Sequence, residues 1–103
     1  AQQGIAQRIA DPLIGNALGY ALLRGGDATQ AVEALKAARD LAPGNDVVRN
    51  NLALALTVAG RRGEADALLA TVRNLSAKAA LRAQIAEQAA LMLAPPATAA
   101  REN

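Results

Sequence analysis

The chain has 103 residues, just over half of them apolar, with 11 basic and 9 acidic residues and a formal net charge of +2. It contains no cysteine and no histidine, and Tyr20 is its one aromatic residue, so thiol chemistry, thiolate or imidazole metal sites and the commonest general base are excluded. Because the charges are scattered and bases would have no aromatic platform to stack on, a nucleic-acid-binding surface is not expected.

The first elements in the chain are two predicted helices separated by a glycine pair. Residues 1–10 are predicted to be the end of a truncated preceding helix. The next helix is predicted from about Pro12 to Arg24, because Asp11 is a good cap and proline suits the first helical position. Gly25–Gly26 ends it.

A second helix is predicted from Asp27 to about Leu41. Asp27 can cap it, and Gln30 three residues later makes a capping-box variant. Ala42-Pro43-Gly44 ends this helix, and Asn45-Asp46 caps a third one that stops at Gly60.

The last predicted helices run from about Gly63 to Asn74 and from a cap at Ser76 to about Ala94. Pro95–Pro96 breaks the final helix, and residues 95–103 are predicted to be a flexible tail. No apolar run approaches the length of about 20 residues that a membrane-spanning helix needs.

The chain repeats itself at a distance of 34 residues, and the matched positions are three, four or seven residues apart, which is the spacing of one helix face. The identical pairs are Asn16/Asn50, Leu18/Leu52, Ala21/Ala55, Leu22/Leu56, Gly26/Gly60, Ala31/Ala65, Leu35/Leu69, Arg39/Arg73 and Leu41/Leu75. The fifth helix repeats the third at a distance of 33, through Arg49/Arg82, Leu52/Ile85 and Ala53/Ala86.

This pattern resembles the tetratricopeptide repeat (TPR), although the usual large aromatic residues are absent. The family's positions fall on Gly15, Leu18, Gly19, Leu22, Ala31, Leu35, Ala38 and Pro43, and again on Arg49, Leu52, Ala53, Leu56, Ala65, Leu69, Val72 and Ala77. The resemblance implies an all-α, TPR-like α-solenoid of two helical hairpins plus a C-terminal capping helix. Its expected units are repeat 1 at 12–45, repeat 2 at 46–75 and the capping helix, a partial third repeat, at 76–94.

Small residues in mid-helix support this arrangement independently of the family. Glycine in a helix interior costs about 1 kcal/mol relative to alanine, so Gly19 indicates that another part of the chain must pass close by. We expect Gly19 and Ala53 to face Ala31 and Ala65, so that the paired helices can approach closely.

In the TPR arrangement the first helices of successive repeats line a concave groove, which we expect to bind a peptide or helix of a protein partner. The predicted groove residues are Leu13, Asn16, Tyr20, Leu23, Arg24, Val47, Asn50, Asn51, Leu54, Thr57 and Gln84, with Ala80, Ala83, Glu87 and Ala90 extending the row. Amide side chains can both donate to and accept from a peptide backbone, and tyrosine is a frequent hot-spot residue. The alternative is that Asn50 and Asn51 simply lie near a helix start, and that Tyr20 packs against a neighbouring helix.

The sequence predicts no enzyme, cofactor or metal site. Asp40, Asp46, Glu64 and Asp66 are accounted for by helix caps and helix dipoles, and no nucleophile stands in a recognisable motif. The lysines of the best-known TPR carboxylate clamp are also missing, which favours a mostly apolar ligand.

A narrower resemblance covers about Asp46–Val72. The stretch VVRNNLALALTVAGRRGEADALLATV resembles TadD-type TPR proteins of bacterial tight-adherence (Flp) pilus assembly. That resemblance implies a periplasmic protein, anchored to the outer membrane through an upstream segment, that helps a pilus or secretin component assemble; without it, a cytoplasmic adaptor is expected. The alternative function is a self-association module, in which exposed apolar residues of terminal helices pack on a second copy.

Overall fold

The computed structural model describes residues 11–93, which form five α-helices and no strand. The helices are α1 (Pro12–Arg24), α2 (Ala28–Leu41), α3 (Asp46–Val58), α4 (Arg62–Leu69) and α5 (Leu75–Leu93). α1 pairs with α2 and α3 with α4, and α3 also packs on both helices of the first pair. The predicted all-α solenoid class is therefore confirmed, while the predictions for residues 1–10 and 95–103 lie outside the described residues.

Side-chain caps begin the first three helices at the predicted places. The backbone N–H of Leu13 donates to Asp11 Oδ1 at 2.8 Å, and the Gln30 N–H donates to Asp27 Oδ1 at 3.0 Å. Asn45 caps α3 in the same way. Each cap satisfies one of the amide donors that a helix start leaves unpaired.

The two hairpins close with the same backbone motif. Gly26 and Gly60 have φ values of 93° and 82°, a region that favours glycine. The N–H groups of the next residues then reach back to the preceding helix, from Asp27 to the Leu22 carbonyl at 2.9 Å and from Arg61 to the Leu56 carbonyl at 2.7 Å. Because the Asp27 N–H is already bonded in this way, the reciprocal half of the predicted capping box does not form.

The fourth helix is shorter than predicted, since α4 ends at Leu69 and not at Asn74. The hydroxyl of Thr71 donates to the Leu68 carbonyl at 2.7 Å, and the Val72 N–H bonds three residues back to the Leu69 carbonyl. These local bonds satisfy the helix end, and the β-branched side chains of Thr71 and Val72 disfavour its continuation.

The last helix starts earlier than predicted and has a different cap. Oδ1 of Asn74 accepts the N–H of Ala77 at 2.9 Å, so that Asn74 does the capping that was predicted for Ser76. Asparagine is among the strongest N-cap residues. α5 therefore begins at Leu75.

A close approach to Gly19 was predicted and is present, but the nearest side chain is that of Leu35 and not that of Ala31. Gly19 and Ala53 are both buried, together with Ala31 and Ala65. The nearest atoms to the empty Cβ position of Gly19 belong to Leu35, with Cδ2 at 2.9 Å and Cγ closer still. The glycine therefore makes room for a core leucine of α2.

The placement of α5 differs from the placement of α3. α3 packs on α2, the second helix of the pair before it, whereas α5 packs chiefly on α3. A cleft of about 270 Å³ lies between α5 and the α3–α4 pair, lined by residues that include Ala65, Leu69, Ile85 and Ala89. No helix among residues 11–93 is both long and apolar enough to span a bilayer.

Candidate functional site

Three adjoining clefts lie where α1, α3 and α5 face one another, and we call this region the inner face. The cleft between α3 and α5, about 200 Å³, is lined by Val47, Asn50, Asn51, Leu54, Leu81, Gln84, Ile85 and Gln88. The middle cleft, about 530 Å³, is lined by Asn16, Ala17, Tyr20, Ala21, Asn51 and Gln88. The cleft beside the end of α1, about 430 Å³, is lined by Tyr20, Leu23, Arg24, Gly26, Gln88, Leu91 and Met92.

Two of the predicted amides bond to each other across the inner face. Nδ2 of Asn51 donates to Oδ1 of Asn16 at 2.9 Å, which links α3 to α1, and both side chains are half-buried. An amide pair of this kind helps to set the register of two helices. The remaining Nδ2 of Asn16 and Oδ1 of Asn51 have no hydrogen-bond partner among residues 11–93, so they can still meet a ligand.

The third amide is held differently. Asn50 Oδ1 accepts from Nε and Nη2 of Arg49 at 3.1 and 3.0 Å, and the same guanidinium donates to Asp46 at 3.1 Å. This partly buried network along one helix orients Asn50 without tying it to another helix. Asn50 and Asn51, adjacent in the sequence, therefore have separate roles.

We expect the Asn16–Asn51 bond to appear as a coupling energy. In a double-mutant cycle, Asn16→Ala and Asn51→Ala should each cost about 1 kcal/mol and show a coupling of about 0.5–1 kcal/mol, because either change alone removes the shared bond. Chemical denaturation of the four proteins measures this. The control cycle pairs Asn16→Ala with Asn50→Ala, which should be additive; equal coupling in both cycles would contradict the assignment.

Tyr20 and Arg24 form an exposed pair one helical turn apart on α1. Nη1 of Arg24 donates to the Tyr20 hydroxyl at 3.4 Å, and its guanidinium carbon lies 5.8 Å from the ring centre. The Tyr20 side chain stays 39% exposed and lines two of the clefts. Its ring is therefore within reach of a partner, and a basic group stands next to it.

Two predicted groove residues belong to the core. Leu23 and Leu54 are only 3% and 2% exposed, and they share a buried cluster with Ile85 and Ala89 of α5. They form the floor of the inner face and offer a partner almost no surface. The sequence analysis missed this because it treated α5 as the next helix lining the groove and not as a helix that covers Leu23 and Leu54.

Two other predicted residues lie outside the three clefts. Leu13 is exposed near the start of α1. Thr57 lines the cleft between α5 and the α3–α4 pair, and its hydroxyl donates to the Ala53 carbonyl at 2.8 Å. The remaining predictions, Asn16, Tyr20, Arg24, Val47, Asn50, Asn51 and Gln84, do line the inner face.

Gln88 was not among the predicted groove residues, although it lines all three clefts. Aligning the chain with itself at a distance of 34 residues would have identified Gln88, because Gln88 then corresponds to Leu54. The same shift relates Val47, Asn50 and Asn51 to Leu81, Gln84 and Ile85, which line the same cleft. The shift of 33 pointed instead to Ala80, Ala83 and Glu87, which are exposed elsewhere on α5.

The perturbed titratable groups lie away from the inner face. At the start of α4 the guanidinium of Arg61 donates to Glu64, with Nη2 at 2.8 Å from Oε1. This hydrogen bond lowers the pKa of the Glu64 carboxyl and raises the pKa of Arg61. Both side chains are partly exposed. Their ion pair lies at the start of α4, where the helix dipole favours an acidic group such as Glu64.

Comparison with known proteins identifies one family. The family model described as "Tetratricopeptide repeat" matches residues 22–87, from the end of α1 through most of α5. Neither the curated proteins nor the solved structures contain a match to this chain.

Proposed function

The chain belongs to the tetratricopeptide repeat family, whose repeats generally mediate protein–protein interaction, and we propose that it binds a peptide or helix of a protein partner on the inner face. Proteins of this family are typically non-catalytic scaffolds. We assign its repeats to 12–45 and 46–75, with residues 76–94 as a partial third repeat.

One observation carries the proposal: the three clefts adjoin one another through Tyr20, Asn51 and Gln88. An exposed aromatic ring, amide groups and the exposed apolar side chains of Val47 and Leu91 lie together there. Apolar area supplies most of the affinity in such a site, and a few polar groups orient the ligand. The absence of a lysine from the lining residues is consistent with a mostly apolar ligand.

We further propose that the partner is a component of a bacterial pilus or secretion apparatus. The support is the resemblance of Asp46–Val72 to TadD-type proteins, and α3 and α4 both lie within that stretch. A TadD-type role would place the protein in the periplasm.

Partner binding is tested by co-purification from the organism that encodes the chain. We expect Tyr20→Ala combined with Arg24→Ala to weaken capture of the partner at least tenfold, about 1.4 kcal/mol, because both side chains are exposed on the inner face and are of residue types that dominate interface energies. The matched control is Thr29→Ala with Gln30→Ala, both exposed on α2. A captured protein retained equally by both variants would contradict inner-face binding, and a captured set without pilus or secretin components would contradict the pilus role.

The second candidate is self-association through α1, and one observation favours it. Ile14 and Leu18 are exposed, whereas the residues 34 positions later, Val48 and Leu52, are buried. A second copy that covered this face would bury equivalent apolar surface. Sedimentation across a wide concentration range separates the candidates, because a monomer throughout would rule out self-association.

A further inference from the structure

α5 packs against α1 and α3, the first helices of the two repeats, on the inner face. Its Ile85 and Ala89 are buried in one cluster with Leu23 of α1 and Leu54 of α3. Leu81 and Met92 pack against the same cluster from either end. These four α5 residues are spaced by four, four and three positions, so they form a single apolar stripe along the helix.

The attachment of α5 to the rest of the protein is one-sided. Of its 19 residues, Ile85 and Ala89 are the two that are buried. The other sides of α5 remain exposed, and they combine apolar residues, Leu75, Leu91 and Leu93, with polar residues such as Arg82 and Glu87.

α4, the preceding helix, adds little support. A cleft of about 270 Å³ lies between α4 and α5, and the α5 residues that line it extend from Arg82 to Leu93. A helix held by few buried side chains belongs to the least stable part of a fold and can open without unfolding the remainder.

From this packing we propose that α5 is a built-in occupant of the inner face, which an amphipathic helix of the partner displaces. The inference rests on the proposed function and names its ligand class. The ligand is a helix with Leu, Ile, Ala or Met at positions spaced by four, four and three residues, as Leu81, Ile85, Ala89 and Met92 are in α5. Where α5 is docked the floor leucines are covered; where it has moved away, Leu23 and Leu54 become the apolar floor of a helix-binding groove.

The short link between α4 and α5 determines how tightly a partner helix must bind in order to displace α5. Only residues 70–74 separate the two helices, so α5 competes with a partner at an effective concentration of about millimolar. The apparent affinity for a free helix is reduced by the fraction of molecules in which α5 is open. The arrangement therefore restricts binding to partners that dock better than α5.

A peptide with the sequence of α5, LSAKAALRAQIAEQAALML, is the probe. Its fluorescently labelled form is titrated with the full chain, either unchanged or carrying Ile85→Asp and Ala89→Asp. We expect the Ile85→Asp/Ala89→Asp chain to bind the peptide at least tenfold more tightly than the unchanged chain does, because its own α5 no longer docks. The control chain carries Ala79→Asp and Ala83→Asp at exposed α5 positions and should match the unchanged chain.

The peptide with Asp at the positions of Ile85 and Ala89 should not bind any of the three chains. Equal binding of the α5 peptide to the Ile85→Asp/Ala89→Asp chain and to the control chain would overturn the inference. So would a lack of binding to the Ile85→Asp/Ala89→Asp chain when that chain keeps its helical circular dichroism.

Hydrogen exchange on the unchanged chain gives a second test that does not depend on how the variants fold. The α5 amides should exchange at least tenfold faster than the central amides of α3, since α5 opens separately. Equal protection of the two helices would overturn the inference. A partner that binds while α5 stays protected would leave the proposed function intact and remove only the displacement step.

Discussion

Replacing Gly19 with valine is expected to destabilise the protein by about 3 kcal/mol, at the upper end of the range for overpacked cores. Any Cβ at this position would overlap with the Leu35 side chain, which is fully buried. For a chain of this size the loss corresponds to a fall in melting temperature of about 12 °C or more. Thermal and urea unfolding followed by circular dichroism measure it.

Gly63→Ala is the matched control, because Gly63 lies in α4 and has no atom within 4 Å of its Cβ position. That change should leave stability unaltered or raise it by up to about 1 kcal/mol through helix propensity. Adding Leu35→Ala to Gly19→Val should cost less than the sum of the two single changes, since the space is then shared. A Gly19→Val protein as stable as the parent would show that the two helices do not need this close approach.

Leu54→Ala is the second large effect, with an expected cost of about 3 kcal/mol. The side chain is 2% exposed and lies in the main core cluster, so its truncation leaves a cavity under α5. Denaturant unfolding gives the free-energy difference.

Val47→Ala provides the comparison two turns earlier on the same face of α3. Val47 lines the same cleft as Leu54 but is 58% exposed, and its truncation should change stability by less than about 0.5 kcal/mol. Similar losses for the two variants would contradict the division of this face into a buried floor and an exposed rim.

Local patterns predicted most of the helices correctly because local interactions set their ends. Asp11, Asp27 and Asn45 cap through bonds to residues two or three positions away, and Gly26 and Gly60 take the positive φ that closes each hairpin. The end of α4 was predicted wrongly, because the hydroxyl of Thr71 and the cap at Asn74 offered the backbone a local alternative to the helix.

The candidate site was predicted less completely. The repeat placed Asn16, Tyr20 and Asn51 on one face, and the structure brings them together around one cleft. The Asn16–Asn51 bond joins residues 35 positions apart and depends on how α1 and α3 pack, which no local pattern contains. Gln88 was missed because a one-residue difference in shift turns the residues of α5 by about 100° around the helix axis.

The sequence by itself determined the all-α class, the starts of α1, α2 and α3, the hairpin turns and the need for a small residue at position 19. These features follow from caps, positive-φ glycines and helix periodicity, whose causes lie within a few residues of one another. Only the tertiary structure decided that α5 lies against α3 and not α4, and that Leu23 and Leu54 belong to the core. Apolar and polar side chains are distributed all around α5, so its sequence indicates no single face for burial, and the buried face depends on which surface of the preceding helices is left to cover.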